Sequence, residues 1–310
     1  MRLSVHHTET FNYDAPSMGT IQVMRITPRD YTGHYVCDWS VDVDADCKLE
    51  TSKDAFGNII TSFSVMGPIE MLQITAEGEI ETEETHGIIR GAAEPVPNGI
   101  YLRPSHSEQQ TALVRMLMNA AGEAEGPPLN HMHSVMAALH SALPITPNPD
   151  AGENDQAQQQ AQQKAGAQAQ SQAQEQQETG VAKPEPTNPA LTRLKAFLAE
   201  RSDFDQGQAA LLFCDAARRY GLPARLVSGY RLPESGQVTK TGRDIWAEVL
   251  IDELGWTGFD PIQKNCPSEE SARVAIGLDL ANVLPTRVAH YGGALDFTQD
   301  TRIAVRQIRS

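Results

Sequence analysis

The chain has 310 residues, 40% of them hydrophobic and 21% charged, which is typical of a globular protein with one large or two modest cores. Its formal net charge of −15 disfavours nucleic acid and anionic membranes as partners, because phosphate groups would be repelled. No apolar run is long enough to span a bilayer, and residues 1–7 lack the apolar core of a signal peptide, so we expect a cytoplasmic protein.

Residues 1–95 are predicted to form an all-β module of sandwich type. They are rich in Val, Ile, Thr and aromatic residues, and some segments, such as residues 39–43, alternate between apolar and polar positions. Turn-forming residues separate the segments, for example at residues 14–16 and 56–58. The predicted strands are residues 2–8, 19–26, 34–43, 46–52, 59–65 and 71–84.

Residues 96–146 are predicted to form a helical linker segment that leads into a core domain. Ser107 is a candidate N-cap with Gln110 three residues later, and a second helix is expected after Pro127 and Pro128. Three histidines lie on or near the polar side of the second helix, but no two of them have the four-residue spacing that a helical metal site usually has. We therefore expect surface histidines rather than a metal site at His131, His133 and His140.

Residues 147–189 differ sharply in composition from the rest of the chain. The stretch 156–178 is almost entirely Gln and Ala, and prolines flank it on both sides. Such a segment carries too little apolar surface to join a core, although Ala and Gln favour helix. We expect an insertion that is either flexible or a protruding helix.

Residues 190–310 are predicted to form the core domain, with helices first and strands after them. Helices are expected at residues 190–200 and 206–220, and Gly221-Leu222-Pro223 would end the second. The whole pattern predicts an α+β protein. The strands predicted in this part are residues 224–230, 244–251, 256–259 and 301–308.

Several linked motifs resemble those of one known family. Residues 220–230 (Tyr-Gly-Leu-Pro-Ala-Arg-Leu-Val-Ser-Gly-Tyr) are similar to the helix-to-strand corner of bacterial transglutaminase-like proteins. Residues 246–249 (Trp-Ala-Glu-Val) and 255–261 (Gly-Trp-Thr-Gly-Phe-Asp-Pro) resemble the next two signatures of that family, and residues 273–285 resemble its closing segment. Motifs similar to the β-rich region that precedes this domain in bacteria occur at residues 11–13, 25–29 and 54–58.

The resemblance implies a papain-type fold, in which a core helix packs on an antiparallel sheet, and it implies cysteine chemistry. In the family a cysteine at the N-terminus of the core helix is activated by the helix dipole and by a histidine, which an aspartate orients. Aligned on residues 221–223, the nucleophile position is Gln206 and the histidine position is Asp244, while the aspartate remains as Asp260. Because an amide has no ionisable nucleophile, the resemblance implies a catalytically degenerate member.

If the family geometry is kept, the carboxyl groups of Asp244 and Asp260 lie close together. Two such carboxylates cannot both ionise freely, so we expect one raised pKa or an intervening cation, for which Arg243 and Lys240 are candidates. A hydrogen bond between the Gln206 amide and a carboxylate would also stabilise the site.

Metal binding and thiol chemistry are two further interpretations. A metal ion could use the two carboxylates with Asp205 as third ligand, but no recognisable binding loop supports this, and we expect no metal and no cofactor. The four cysteines, at positions 37, 47, 214 and 266, have no Cys-x-x-Cys spacing, so we expect reduced thiols rather than a zinc site or a disulfide scaffold. Cys214 is predicted to be a buried structural thiol, and Cys266 lies in a loop without a matched histidine.

The function that these residues favour is a non-catalytic homologue that binds a protein or peptide, such as a catalytically intact paralogue. Trp246, Asp205 and Tyr230 are the candidate binding residues. The resemblance also implies a setting beside an amide-bond-forming or proteolytic system. The alternative function is a hydrolase or amidase of altered mechanism that uses Asp244 and Asp260.

Overall fold

The structure is a computed structural model that describes residues 1–92, 94–104, 108–123, 126–143, 188–201, 204–233, 243–293 and 296–308. The Gln/Ala-rich insertion lies outside the described residues except for residues 188–189, and so do Ser107 and Lys240. Among the described residues, no helix is both long and apolar enough to cross a membrane.

The described residues form strands, α-helices and one 3-10 helix in an α+β arrangement, which confirms the predicted fold class. The strands are β1 (Arg2–Thr27), β2 (His34–Val43), β3 (Glu50–Lys53), β4 (Ile59–Thr82), β5 (Ile88–Ile89), β6 (Ala224–Arg231), β7 (Asp244–Ile251), β8 (Gly255–Phe259), β9 (Ser271–Gly277), β10 (Thr286–Tyr291) and β11 (Phe297–Ile308). The α-helices are α1 (Glu108–Ala121), α2 (Pro128–Ala142), α3 (Pro189–Ala199), α4 (Gln206–Arg219) and α5 (Leu280–Val283), and the 3-10 helix is Asn98–Leu102.

The first sheet is antiparallel and is built around the long strands β1 and β4. Sequence patterning predicted two strands in place of each, with breaks near residues 14–16 and 66–70. In the structure each runs through. The pairing shifts register between Met24 and Thr27 on β1, and it is irregular between Asn12 and Gly19. Pro16 and Pro68 lack the N–H that a regular ladder needs, so they occupy this irregularity rather than end the strands.

The C-terminal strands β10 and β11 complete this first sheet. Both pair with β1, β10 over residues 19–24 and β11 over residues 2–13. The predicted division assigned residues 286–308 to the core domain, but their hydrogen bonds join them to the N-terminal module. Chain order alone did not indicate this pairing, because strand pairing depends on which edge is free, and β1 offers its second edge to the end of the chain.

The second sheet has the order β5-β8-β7-β6-β9 among the described residues, and its pairs are antiparallel. Helix α4 packs on one face, where alternate residues of β7, Ala247 and Val249, are fully buried against it. Helices α1 and α2 belong to the same hydrophobic core. The segment predicted as a linker therefore contributes directly to this core.

The opposite face of the second sheet carries buried charges that face the first module. Arg225 on β6 is fully buried and donates hydrogen bonds to Glu248 on β7 at 2.7 Å and to Glu94 at 2.6 Å. Its guanidinium lies 3.7 Å above the ring of Trp256, and Arg273 on β9 donates to Glu248 at 3.0 Å. Removing one partner of such a network would leave an uncompensated buried charge.

Asn58 connects the two sheets by hydrogen bonds to backbone groups. Its side chain donates to the carbonyl of Ile276 at 2.7 Å and accepts from the N–H of Ile276 at 2.9 Å. Asn58 is 1% exposed, and Asp54 accepts from both its backbone and its side chain. The turn at residues 56–58 is thus a fixed point between the sheets.

We predict that Asn58→Ala lowers the free energy of unfolding by about 3 kcal/mol, because both backbone groups of the buried Ile276 lose their partner. Urea unfolding followed by circular dichroism measures this change. Asn12→Ala is the control, since Asn12 is exposed on β1 and should change stability by less than about 0.5 kcal/mol. Equal stabilities of the two variants would contradict the role given to Asn58.

Candidate functional site

The N-terminus of α4 forms one side of the candidate site. Asp205 is the N-cap, and its side chain accepts from the N–H of Gln208 at 2.8 Å. Gln206 is the first helical residue and is half-buried. Gly207 follows with little room, because a Cβ there would come within 2.7 Å of Leu280. This close contact with α5 fixes the N-terminus of α4, which is the positive end of the helix dipole.

The ends of three neighbouring strands form the other side. In the antiparallel sheet the start of β7 lies beside the ends of β6 and β8, so Asp244, Arg231 and Asp260 come together. The side chain of Gln206 donates from Nε2 to Oδ1 of Asp244 at 3.4 Å, which links the helix to the strands. The hydrogen bond that the sequence suggested for the Gln206 amide is thus present.

Asp260 is fully buried, and its carboxylate accepts three hydrogen bonds. Its Oδ1 accepts from the backbone N–H groups of Ile262 at 2.9 Å and Gln263 at 3.1 Å. Its Oδ2 accepts from Nη2 of Arg231 at 2.5 Å. The carboxylate to which the resemblance assigns the orienting role thus binds an arginine and two backbone N–H groups of a turn.

Arg231 is the cation between the two carboxylates. Its Nε lies 3.9 Å from Oδ1 of Asp244, while its Nη2 contacts Asp260. Sequence reasoning proposed Arg243 or Lys240 for this place and missed Arg231. The available signal was its position directly after Tyr230 at a strand end, but the register between β6 and β7 was needed to use it.

Arg243 lies away from the two carboxylates, which corrects its expected role. It is 8% exposed and its guanidinium lies 5.9 Å from the ring centroid of Tyr230. Its Nη2 donates to the carbonyl of Val283 at 3.4 Å. Arg243 directly precedes β7, and these contacts place its guanidinium beside Tyr230 and Val283 rather than beside the two carboxylates.

Asp244 has a raised pKa. Burial of its carboxyl group is the main cause, and the nearby Asp260 adds to it, while Arg231 and Gln206 act in the opposite direction. The raised pKa that was expected for the carboxylate pair is thus found at Asp244. Its side chain is 29% exposed, so it is accessible from solvent at the edge of the site.

Two of the three candidate binding residues are in the interior. Trp246 is 3% exposed and packs with Val227, Ile276 and Phe56. Tyr230 is 1% exposed, and its hydroxyl group lies 3.0 Å from Nδ1 of His7. Neither side chain offers an exposed surface to a partner in this structure, because both fill the contact between the two sheets.

Asp205 differs from these two residues because it is exposed at the helix N-terminus. Its charge lies at the edge of the site, where a partner could reach it. Binding by Asp205 stays a prediction.

The thiols lie outside the site. All four cysteines are free, and Cys214 is fully buried in the core, where burial raises its pKa to about 12. Burial also raises the pKa of Cys266, which packs near Gly87. Raised pKa values leave little thiolate at neutral pH, so neither thiol has the electronic character of an activated nucleophile.

The three histidines lie on α2 and make ring or backbone contacts. His131 stacks on Tyr220 at 5.4 Å and is half-buried, while the exposed His133 and His140 contact Phe259 and the carbonyl of Ile262. Within the described residues, no group of three or more His, Cys, Asp or Glu side chains is placed to hold a metal ion.

Two family models match the chain. The Bacterial transglutaminase-like N-terminal region matches residues 3–81, and the Transglutaminase-like superfamily matches residues 150–261. The second match contains Gln206, Asp244 and Asp260. Both agree with the resemblance that the motifs carried.

Three relatives extend these matches. An uncharacterised protein of Mycobacterium leprae is 24% identical over 317 residues, which cover 98% of this chain and 99% of the relative. A crystal structure of a candidate cysteine protease from Cytophaga hutchinsonii is 13% identical and matches with a TM-score of 0.65, covering 100% of this chain and 92% of the other. This likeness shows the fold alone. The periplasmic domain of TgpA from Pseudomonas aeruginosa is 11% identical, and the match covers 84% of this chain and 90% of that one. Its TM-score is 0.30.

We predict that Asp244→Asn changes how stability depends on pH. The pKa of Asp244 is higher in the folded state than in the unfolded state, so its carboxyl group loses its proton more easily in the unfolded state. The contribution of Asp244 to the free energy of unfolding therefore falls as the pH rises through the raised pKa. Relative to the variant, the wild type should therefore lose stability as the pH rises from below the ordinary pKa of an aspartate, about 3.9, through the raised pKa.

Urea unfolding at several pH values measures this difference, with Asp252→Asn, an exposed carboxylate in the turn after β7, as the control. The prediction is contradicted if the wild type becomes more stable relative to Asp244→Asn as the pH rises, because folding would then stabilise the charged carboxylate.

Proposed function

The chain belongs to the transglutaminase-like superfamily, and from this membership we propose that it is a member without cysteine chemistry that binds a protein or peptide at the candidate site. The observation that carries the proposal is the hydrogen bond from Gln206 to Asp244, at the two positions where the family has its nucleophile and its proton carrier. An amide and a carboxylate in these places cannot form an acyl-enzyme intermediate.

The surroundings support the loss of chemistry. A general base needs a free lone pair on the reacting side, but Asp260 is buried and accepts from Arg231 and from two backbone N–H groups. The alternative hydrolase would use Asp244 and Asp260 as an acid–base pair. Arg231 contacts both carboxylates and favours their charged forms, which opposes the sharing of a proton between them.

The charge at the site indicates the kind of partner. Three carboxyl groups, those of Asp205, Asp244 and Asp260, lie around the site with one guanidinium, that of Arg231, so the charges of these side chains sum to a negative value. Asp205 is exposed and Asp244 is partly exposed, so the negative charge is open to a partner. A peptide or protein segment with a basic side chain complements this charge. A catalytically intact paralogue with such a segment is one form of this partner.

We predict that the protein does not hydrolyse or transamidate peptide amides. A panel of peptide and glutamine-amide substrates, with ammonia release and mass spectrometry as readouts, tests this for the wild type and for Asp260→Asn. The two proteins should behave alike, without turnover. Turnover by the wild type that Asp260→Asn abolishes and Asp252→Asn preserves would establish the altered hydrolase instead.

We predict that basic peptides selected from a displayed library bind the wild type and bind Asp205→Asn at least about tenfold more weakly. Asparagine is as good an N-cap as aspartate, so this variant removes the charge and keeps the helix start. Fluorescence polarisation gives the dissociation constants, and Asp252→Asn should bind as the wild type does. The proposed peptide site is contradicted if the selection yields no binder. It is also contradicted if the variants Asp205→Asn and Gln206→Arg both bind the selected peptides as tightly as the wild type does.

A further inference from the structure

A second concave site lies at the other end of α4. It is a cavity of about 260 Å³ between the end of the 3-10 helix, the first half of α1 and the last turn of α4. Helix α4 has 14 residues, so this cavity is about 20 Å from Gln206 along the helix axis. It is therefore separate from the candidate site and does not depend on the proposed function.

Positive charge is concentrated around this cavity. Arg115, Arg218 and Arg219 line it together with one acidic residue, Asp215. The chain as a whole has 40 acidic and 25 basic residues, so a cationic lining departs from the general surface. A local excess of arginine in an acidic protein attracts anions and holds them by charge-assisted hydrogen bonds.

Arg218 has a structural role that explains its presence. Its Nη1 donates to Asp215 at 2.8 Å, and its Nε and Nη2 donate to the carbonyls of Tyr101, Ala224 and Leu278. The side chains of Arg218 and Asp215 are 1% and 4% exposed, so this neutral pair forms a rigid floor.

Arg115 and Arg219 are available to bind a ligand. Both are exposed, and neither has a hydrogen-bond or ion-pair partner among the residues that the structure describes. The dipole of α4 accounts for a cation at its last residue, Arg219. It does not account for Arg115, which lies in the middle of α1. Two unpaired guanidinium groups in the lining of one cavity favour an anionic ligand.

Part of the cavity wall is apolar. Leu102, Pro104 and Val114 line it beside the polar Gln110 and Thr111, and Leu102 is 39% exposed. The volume lies just below the range of about 300–1,000 Å³ that is usual for small-molecule sites. The ligand thus has a compact aliphatic part and one anionic end.

We propose that this cavity binds a carboxylate that carries a short aliphatic group, held by Arg115 and Arg219. The planar carboxylate accepts two parallel hydrogen bonds from one guanidinium and a further hydrogen bond from the other, whereas Asp215 in the lining disfavours a dianion. The same chemistry is present in a free branched-chain acid and in the C-terminus of a polypeptide that ends in leucine.

Isothermal titration of the 310-residue protein distinguishes these sources. The probes are 4-methylpentanoate, a hexapeptide that ends in leucine with a free carboxylate, and the same hexapeptide as its C-terminal amide. We expect at least one carboxylate probe to bind saturably and the amide to bind at least about tenfold more weakly. Tighter binding of the hexapeptide identifies a chain terminus as the ligand, and equal or tighter binding of 4-methylpentanoate identifies a small acid.

Two variants test the assignment of residues. Arg115→Gln and Arg219→Gln should each weaken the carboxylate probes about tenfold or more, whereas Arg193→Gln, which removes an exposed arginine from α3, should leave binding unchanged. Equal binding of acid and amide, unchanged binding in both Arg115→Gln and Arg219→Gln, or no saturation up to about 10 mM would overturn the proposal. None of these results depends on peptide binding near Gln206.

Discussion

The antiparallel pairing of β6, β7 and β8 is the constraint on which the candidate site depends. Gly229 pairs with Asp244, and Phe259 pairs with Ala247, so the start of β7 adjoins the ends of both neighbours. If β7 slipped by one residue, Asp244 would turn towards the face of the sheet that packs on α4. The alternate apolar residues of β7 would then turn away from that face and become exposed. The site and the core therefore share one register.

Different interactions on the two faces of β7 stabilise that register. On one face Ala247 and Val249 pack against α4, where apolar burial is favourable. On the other face Glu248 accepts from Arg225 and Arg273 in the layer between the sheets. An apolar residue in place of Glu248 would remove the partner of Arg273 and one of the two carboxylate partners of Arg225, so the alternation along β7 cannot be inverted without loss on both faces.

The same arrangement shows what holds the elements around the site in place. The helix N-terminus and the strand ends keep their places through Asp205, Gly207 and the pairing of β7, none of which needs a cysteine or a histidine. Charge is also partly balanced inside the site, since Arg231 contacts the buried carboxylate of Asp260 and lies 3.9 Å from that of Asp244. The stability of the fold around the site therefore depends on these contacts.

The sequence by itself determined the α+β class, the strand or helix character of many segments and the family resemblance, because periodicity, turn residues and motifs are local. The strands β5, β9 and β10 were not predicted. Only the tertiary structure decided that β10 and β11 pair with β1 and that Trp246 and Tyr230 are interior. It also decided that Arg231, rather than Arg243, lies between the carboxylates. These outcomes follow from pairing between strands far apart in the chain, and a local pattern does not specify which strands become neighbours.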